Sequence, residues 1–279
     1  QTRGSVTAAL AMLDAPPLSI MTKAELPVAI ADGYLTAEGT LALPLRKGLK
    51  PGELVFDARG TAREVRSARL IEGRTLATST LQVVANNAGV EISGLGTLDG
   101  IPFQAIWDQP IGSGPQPSTV SGTMELSERT DTALNLGLPP GLLTGQGIGR
   151  VRVTMPVDDT APAFQVETDL RGIRLSSPPL GWSKAAQTPA TLSVTGLLGE
   201  TPRVDRLVLD APGLRASGAI TLRPDGGLAR ARFDRVRVGQ WLDAPVDLVG
   251  RGAYVPPAIN VRGGTLDLRQ ADFGGSGSG

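Results

Sequence analysis

Apolar and polar residues alternate with a period of two through most of the chain. In 214–222, every second residue from Leu214 to Leu222 is apolar or glycine, and most of the residues between them are polar. Successive side chains of a β-strand point to opposite faces, so the pattern predicts a strand with one apolar and one wet face. A shift of one residue would expose every leucine, and the register is therefore well specified.

One phrase, apolar-x-apolar-x-Gly with apolar residues after it, occurs five times along the chain. Its copies are centred on Gly39, Gly94, Gly122, Gly196 and Gly218. Three of them continue through a turn signal, at 50–52, 99–100 and 224–227, into a second alternating strand, which predicts hairpins of a common design. Each central glycine indicates either a bulge that curves the sheet or a close packing contact on the backbone, and curvature is the favoured interpretation.

Glycine and proline, 36 and 22 of 279 residues, leave little room for long helices. We expect on the order of sixteen strands joined by short turns. A short helix is predicted from about Glu128 to Leu136 with Ser127 as N-cap, and a weaker one from about Met21 to Leu26. The predicted fold is all-β, with mostly antiparallel neighbours.

Composition suggests where the chain divides. The Pro- and Gly-rich segment 112–118 predicts a boundary between a hairpin-repeat section, 1–112, and a second β section, 119–273. The last six residues, 274–279, have the composition of a flexible linker. Gln1 is not an initiator methionine, so we expect a chain that is processed or cut from something longer.

The residue types exclude several kinds of catalysis. The chain has no cysteine and no histidine, which rules out disulfides, thiolate nucleophiles, zinc hydrolases and serine–histidine triads. Ser183 and Lys184 could be imagined as a nucleophile pair, but adjacent residues rarely face each other, and an exposed turn after Trp182 is favoured. We therefore expect no enzyme, no catalytic residue, no metal site and no cofactor.

The charges give no sign of a nucleic-acid partner. Lysine and arginine number 27, as do aspartate and glutamate. A locally basic run at Arg230, Arg232, Arg235 and Arg237 has Asp234 within it, and only 4% of residues are aromatic. A platform for nucleic acid needs both net positive charge and stacking aromatics.

Three phrases occur together in an order typical of a known family. They are Gly137-Leu138-Pro139-Pro140-Gly141 followed by Gly145-Gln146-Gly147, then 180–184 (LGWSK), then 211–218 (APGLRASG). As a set they resemble the large AsmA-like proteins of Gram-negative bacteria, particularly the YhdP branch. The similarity covers most of the chain and is clearest from about Val120 to Phe273.

The resemblance implies a periplasmic section of an inner-membrane-anchored envelope protein. Such a protein forms an elongated, curved sheet whose open apolar groove carries phospholipid between the inner and outer membranes. The implied partners are phospholipid acyl chains, with an inner-membrane anchor and other envelope proteins reached through missing parts of the chain. A full-length member has an N-terminal anchor helix and is long enough to cross the periplasm, whereas these 279 residues show neither feature, so we expect this chain to be only one section of such a protein.

The apolar positions of the repeated strands are the candidates for lining such a groove. They are Leu35, Leu41, Leu43, Val90, Ile92, Val120, Met124, Leu126, Leu214, Ile220 and Leu222. A closed sandwich of two sheets would show the same alternation, so the sequence leaves groove and sandwich open. The alternative function is a non-catalytic structural or interaction scaffold, such as a surface or adhesin-like module.

Overall fold

The computed structural model describes residues 2–15, 20–23, 26–42, 55–112, 114–199, 201–223, 227–252, 255 and 257–270. The chain falls into two compact units. Unit 1 comprises Gln1–Gly122 with Pro156–Asp158, and unit 2 comprises Thr123–Met155 with Asp159–Gly279.

Strands dominate both units. Those that begin in unit 1 are β1 (Thr2–Ser5), β2 (Asp32–Ala42), β3 (Val55–Ser67), β4 (Leu76–Asn86), β5 (Gly89–Leu98), β6 (Ile101–Pro110) and β7 (Ser118–Ser127). Those of unit 2 are β8 (Leu143–Met155), β9 (Ala163–Thr168), β10 (Ile173–Ser177), β11 (Trp182–Lys184), β12 (Thr191–Leu197), β13 (Arg203–Ala211), β14 (Leu214–Leu222), β15 (Leu228–Val238), β16 (Leu242–Val249), β17 (Ala258–Val261) and β18 (Thr265–Leu266). The division between the units falls inside β7.

The predicted all-β fold of antiparallel hairpins is confirmed. Strand makes up 61% of the structure and helix 10%, and the sheet is open. Every copy of the glycine-centred phrase forms a strand, namely β2, β5, β7, β12 and β14. The turn between β5 and β6 is tight because Asp99 and Gly100 both adopt positive φ, 50° and 81°. The predicted turn at 50–52, residues 224–226 of the predicted turn at 224–227, and the tail 274–279 lie outside the described residues.

Bulges interrupt the ladders in both units. In unit 2 the register shifts beside Gly196, where β12 pairs with β13, and beside Gly218, where β14 pairs with β15. In unit 1 it shifts between Ala77 and Thr80, where β4 pairs with β5. Because bulges bend and twist a sheet, the interpretation of the repeat glycine as a bulge that curves the sheet applies at Gly196 and Gly218.

Short helices occur where the chain is not paired. The predicted helix after Ser127 is α3 (Glu128–Leu134), which ends early because Asn135 adopts the left-handed conformation at φ 53°. The weaker predicted helix is α2 (Ile20–Lys23). Sequence reasoning missed α1 (Val6–Asp14), although Ser5 caps it by accepting a hydrogen bond from the Ala8 N–H at 3.1 Å.

The buried core lies in unit 2. It forms where β13–β16 are covered by the short strands β10 and β11 and by Trp241. Ile173, at 0% exposure, and Leu170, at 2%, are its most buried side chains. Trp182 closes one side by donating its Nε1–H to the Pro212 carbonyl at 2.8 Å.

Candidate functional site

One face of the unit 1 sheet is apolar across five strands. Residues directly opposite each other share a face, so the registers of β2–β6 define its rows. One row runs Leu35, Ala62, Leu81, Gly94, Ala105; the next runs Ala37, Gly60, Val83, Ile92, Trp107. None of the positions that these registers pair on this face carries a charged side chain. We call it the unit 1 apolar face.

The opposite face of the same strands is polar. Its paired positions include Glu38 with Arg59, and Glu91 with Asp108. Apolar side chains interrupt it at several positions, among them Val55, Val84, Leu95 and Ile106. The alternation read from the sequence therefore sorts the side chains as predicted.

Most of the unit 1 apolar face is not buried within its unit. Leu81, Val83, Val90, Ile92 and Trp107 are all half-buried, and Leu41 is 63% exposed. Among the described apolar residues of this unit, only Met21, Ile30, Ala62, Val65 and Ile101 are buried.

The loop before β2 covers one end of the unit 1 apolar face. Ser67, at the end of β3, donates its hydroxyl to the Ile30 carbonyl at 2.6 Å, and Arg69 donates to the Ala29 carbonyl at 3.1 Å. Val65 and Ile30 are buried there. The strand ends near Leu41 and Val90 have no such cover among the described residues.

Unit 2 carries a similar apolar face, which we call the unit 2 apolar face, but it is sealed at one end. There Ala211, Leu214, Val238 and Leu242 lie side by side across four strands, all below 9% exposure. A second row lies farther along the same strands and consists of Val204, Ile220, Ala231, Leu248 and Ile259. Within this row Ala231 is buried, whereas Ile259 is 63% exposed. The face passes from a closed core to a half-open surface.

The candidate lining residues lie in different parts of the molecule. Leu35, Leu41, Val90 and Ile92 lie on the unit 1 apolar face. Val120 is assigned to the same face because it is two residues from Gly122 in β7, and a methyl group on Gly122 would lie 2.8 Å from Ala105 Cα. Half-buried in unit 2 are Met124, Leu126, Ile220 and Leu222. Leu214 lies in the sealed core, and Leu43 lies outside the described residues.

The arginine run of β15 is matched by aspartates on the neighbouring strand. Arg235 forms a two-point ion pair with Asp243 at 2.6 and 2.8 Å, and Arg230 donates to Asp247 at 2.8 Å. Asp247 is only 4% exposed and also lies 3.1 Å from Arg262. The Arg230 hydrogen bond holds the pKa of Asp247 below its ordinary value, against the effect of burial.

Lys184 corrects the expectation of an exposed turn. Trp182–Lys184 is a strand in which Ser183 is exposed and Lys184 is 3% exposed, so the two side chains point to opposite sides. The Lys184 ammonium donates to the carbonyls of Leu170, Ile173 and Ala185 at 2.9, 2.7 and 3.0 Å. Burial lowers its pKa below the ordinary value, and the Asp169 carboxylate opposes that shift. Ser183 and Lys184 therefore do not form a catalytic pair.

In the described part of the chain, no group of three or more carboxylates is placed to hold a metal ion. None of the described helices has the length and apolar character needed to cross a bilayer. Comparison with protein-family models, with curated proteins and with solved structures finds no match to this chain.

Proposed function

We propose that this chain binds lipid acyl chains on its apolar sheet faces, as one section of a periplasmic protein that carries phospholipid between the inner and outer membranes. The observation that carries the proposal is the unit 1 apolar face. It presents Leu81, Val83, Val90, Ile92 and Trp107 half-buried, with no charged side chain at its paired positions.

The dimensions of the unit 1 apolar face suit an acyl chain. Adjacent strands lie about 4.8 Å apart, so the five strands β2–β6 span about 19 Å. One leaflet of a bilayer, half of a hydrocarbon core about 30 Å thick, is about 15 Å deep. Each CH₂ group removed from water contributes about 0.8 kcal/mol, which makes a continuous aliphatic surface a sufficient source of affinity.

The chemistry of the face favours hydrocarbon over a polar ligand. The polar side chains of its described positions are few, and two of them are satisfied internally. Ser67 donates to the Ile30 carbonyl, and Thr78 donates to the Leu95 carbonyl at 2.7 Å. With so few polar side chains at its described positions, the face gives a sugar or peptide little to bind. Transport and periplasmic location rest on the sequence resemblance.

Native mass spectrometry of the purified protein, with extraction and identification of bound lipid, tests this function. We expect co-purified phospholipid that detergent exchange removes. The scaffold alternative predicts protein free of lipid, which also stays free after incubation with phospholipid vesicles. That second result would refute lipid binding.

A further inference from the structure

Glycines on the unit 1 apolar face lie beneath large side chains of the neighbouring strand. A methyl group built on Gly96 would lie 2.8 Å from Cζ of Phe103, and one on Gly94 would lie 2.8 Å from Cδ2 of Leu81. Both distances are far shorter than a van der Waals contact between carbons. The absence of a side chain on the glycine is what allows the large neighbour to lie across the sheet.

The same arrangement recurs in unit 2. A methyl group on Gly196 would lie 2.8 Å from Cε1 of Phe164, and one on Gly218 would lie 2.9 Å from Cδ1 of Phe233, but the backbone carbonyl oxygens of Arg203 and Arg232 would lie closer still. Gly196 and Gly218 are the central glycines of two repeat copies, as Gly94 is of another. Both interpretations of the repeat glycines therefore apply in unit 2. The ladder bulges beside the glycine, and a side chain of the protein itself packs closely against it.

A side chain that lies across a glycine does not project into the space above the sheet. If a Cβ were present, the neighbour would have to turn upward, because its own backbone is fixed by the ladder. The face would then be rougher, and a ligand would contact fewer strands at once.

We propose that Gly94 and Gly96 are positioning residues that keep the unit 1 apolar face low enough for an acyl chain to lie against several strands. This inference rests on the proposed lipid binding. A purely structural role is the competing explanation, since aromatic side chains that cover glycines also stabilise β-sheets. The two explanations differ in whether lipid binding can be restored while the alanine stays in place.

The test uses four variants of the whole chain and measures lipid occupancy by native mass spectrometry after incubation with vesicles of palmitoyl-oleoyl phosphatidylethanolamine. Gly96→Ala raises Phe103, and Gly96→Ala with Phe103→Ala removes the raised ring. Gly4→Ala is the matched control, because a methyl group on that strand glycine meets nothing within 4 Å. Gly60→Ala is a milder probe, with its nearest contact at 3.2 Å from Cδ1 of Leu35.

We expect Gly96→Ala to lower lipid affinity about fivefold, roughly 1 kcal/mol, with a smaller loss for Gly60→Ala and none for Gly4→Ala. The double variant should regain wild-type affinity although its thermal midpoint stays low, because Ala77 O lies 2.8 Å from the new methyl group in either background.

Unchanged affinity in folded Gly96→Ala, or a double variant that stays weak, would overturn the inference. If Gly96→Ala does not fold, Gly60→Ala decides it, and wild-type affinity there counts against it. Lipid-free wild-type protein would instead refute the proposed function itself.

Discussion

The two units are built from the same alternating hairpins, yet they differ in what covers the apolar side of the sheet. In unit 2, Ile173, Trp182 and Trp241 close over one end of the strands and form a core. In unit 1, the loop that contains Ile30 reaches only the end near Val65. Alternation of apolar and polar residues therefore specifies a one-sided strand, whereas the covering segments decide whether its apolar side becomes a core or a surface.

The largest effect is expected from placing a charge on the apolar side of the sheet in each unit, because the two units should then differ in how much stability they lose. Leu214→Asp buries an unpaired carboxylate in the sealed core and should cost several kcal/mol, enough to unfold unit 2. Ile92→Asp is half-buried, so its carboxylate can reach water, and we expect a loss of about 1 kcal/mol or less. Thermal unfolding followed by circular dichroism measures both. Equal losses would show that the unit 1 apolar face is a closed core.

A smaller loss of stability is expected from replacing Lys184, whose ammonium donates hydrogen bonds to three backbone carbonyls in unit 2. Lys184→Met keeps most of the side-chain volume but removes the ammonium donor from the Ile173 carbonyl and from the Leu170 carbonyl, which keeps only the Ile173 N–H at 3.3 Å. Unsatisfied buried acceptors cost about 1–3 kcal/mol, so we expect destabilisation by about 2 kcal/mol. Urea unfolding provides the measurement, with Ser183→Ala as the exposed control on the same strand. A change below the error of the control would mean that the ammonium is dispensable.

The smallest expected effect is on the pH dependence of stability. The pKa values of Asp243 and Asp247 are lowered in the folded state, mainly by hydrogen bonds from Arg235 and Arg230. Their contribution to the free energy of unfolding is therefore fully present above the ordinary aspartate pKa near 3.9, and it is lost as the pH falls through the lower pKa of the folded state. Asp247→Asn should make the midpoint of urea unfolding depend less on pH in this acidic range, which we call the acid limb.

Near neutral pH the chain has no histidine to titrate, so stability should be almost constant between about pH 6 and 8. A steep change in that range, or an acid limb that Asp247→Asn leaves intact, would contradict this account of the charges.

Much of the fold could be predicted because period-two alternation is a local signal. The five repeat strands, the turn at Asp99-Gly100 and the helix after Ser127 follow from residues adjacent in sequence. The missed helix α1 also had a local signal, since Ser5 precedes a run rich in alanine, leucine and methionine, which are good helix formers. Glycine and proline are frequent in the whole chain but absent from that run.

The covering of the sheets could not be predicted, because it depends on contacts between distant segments. Nothing near Leu214 in sequence distinguishes it from Ile220, but the distant segment with Ile173 and Trp182 covers the first and not the second. In the same way, Lys184 is buried because carbonyls of 170–173 surround it. The idea that Leu41, Val90, Ile92, Met124, Ile220 and Leu222 line one continuous path stays a prediction.

The central claim is that acyl chains lie on the unit 1 apolar face, and site-specific photo-crosslinking tests it most directly. A photoreactive phenylalanine analogue at position 92 would replace Ile92 on the apolar face, and the same analogue at position 93 would replace Ser93 on the polar face of the same strand. After incubation with phospholipid vesicles and illumination, mass spectrometry should find lipid adducts at position 92 and not at position 93. Equal labelling at the two positions, or labelling at 93 alone, would contradict the account.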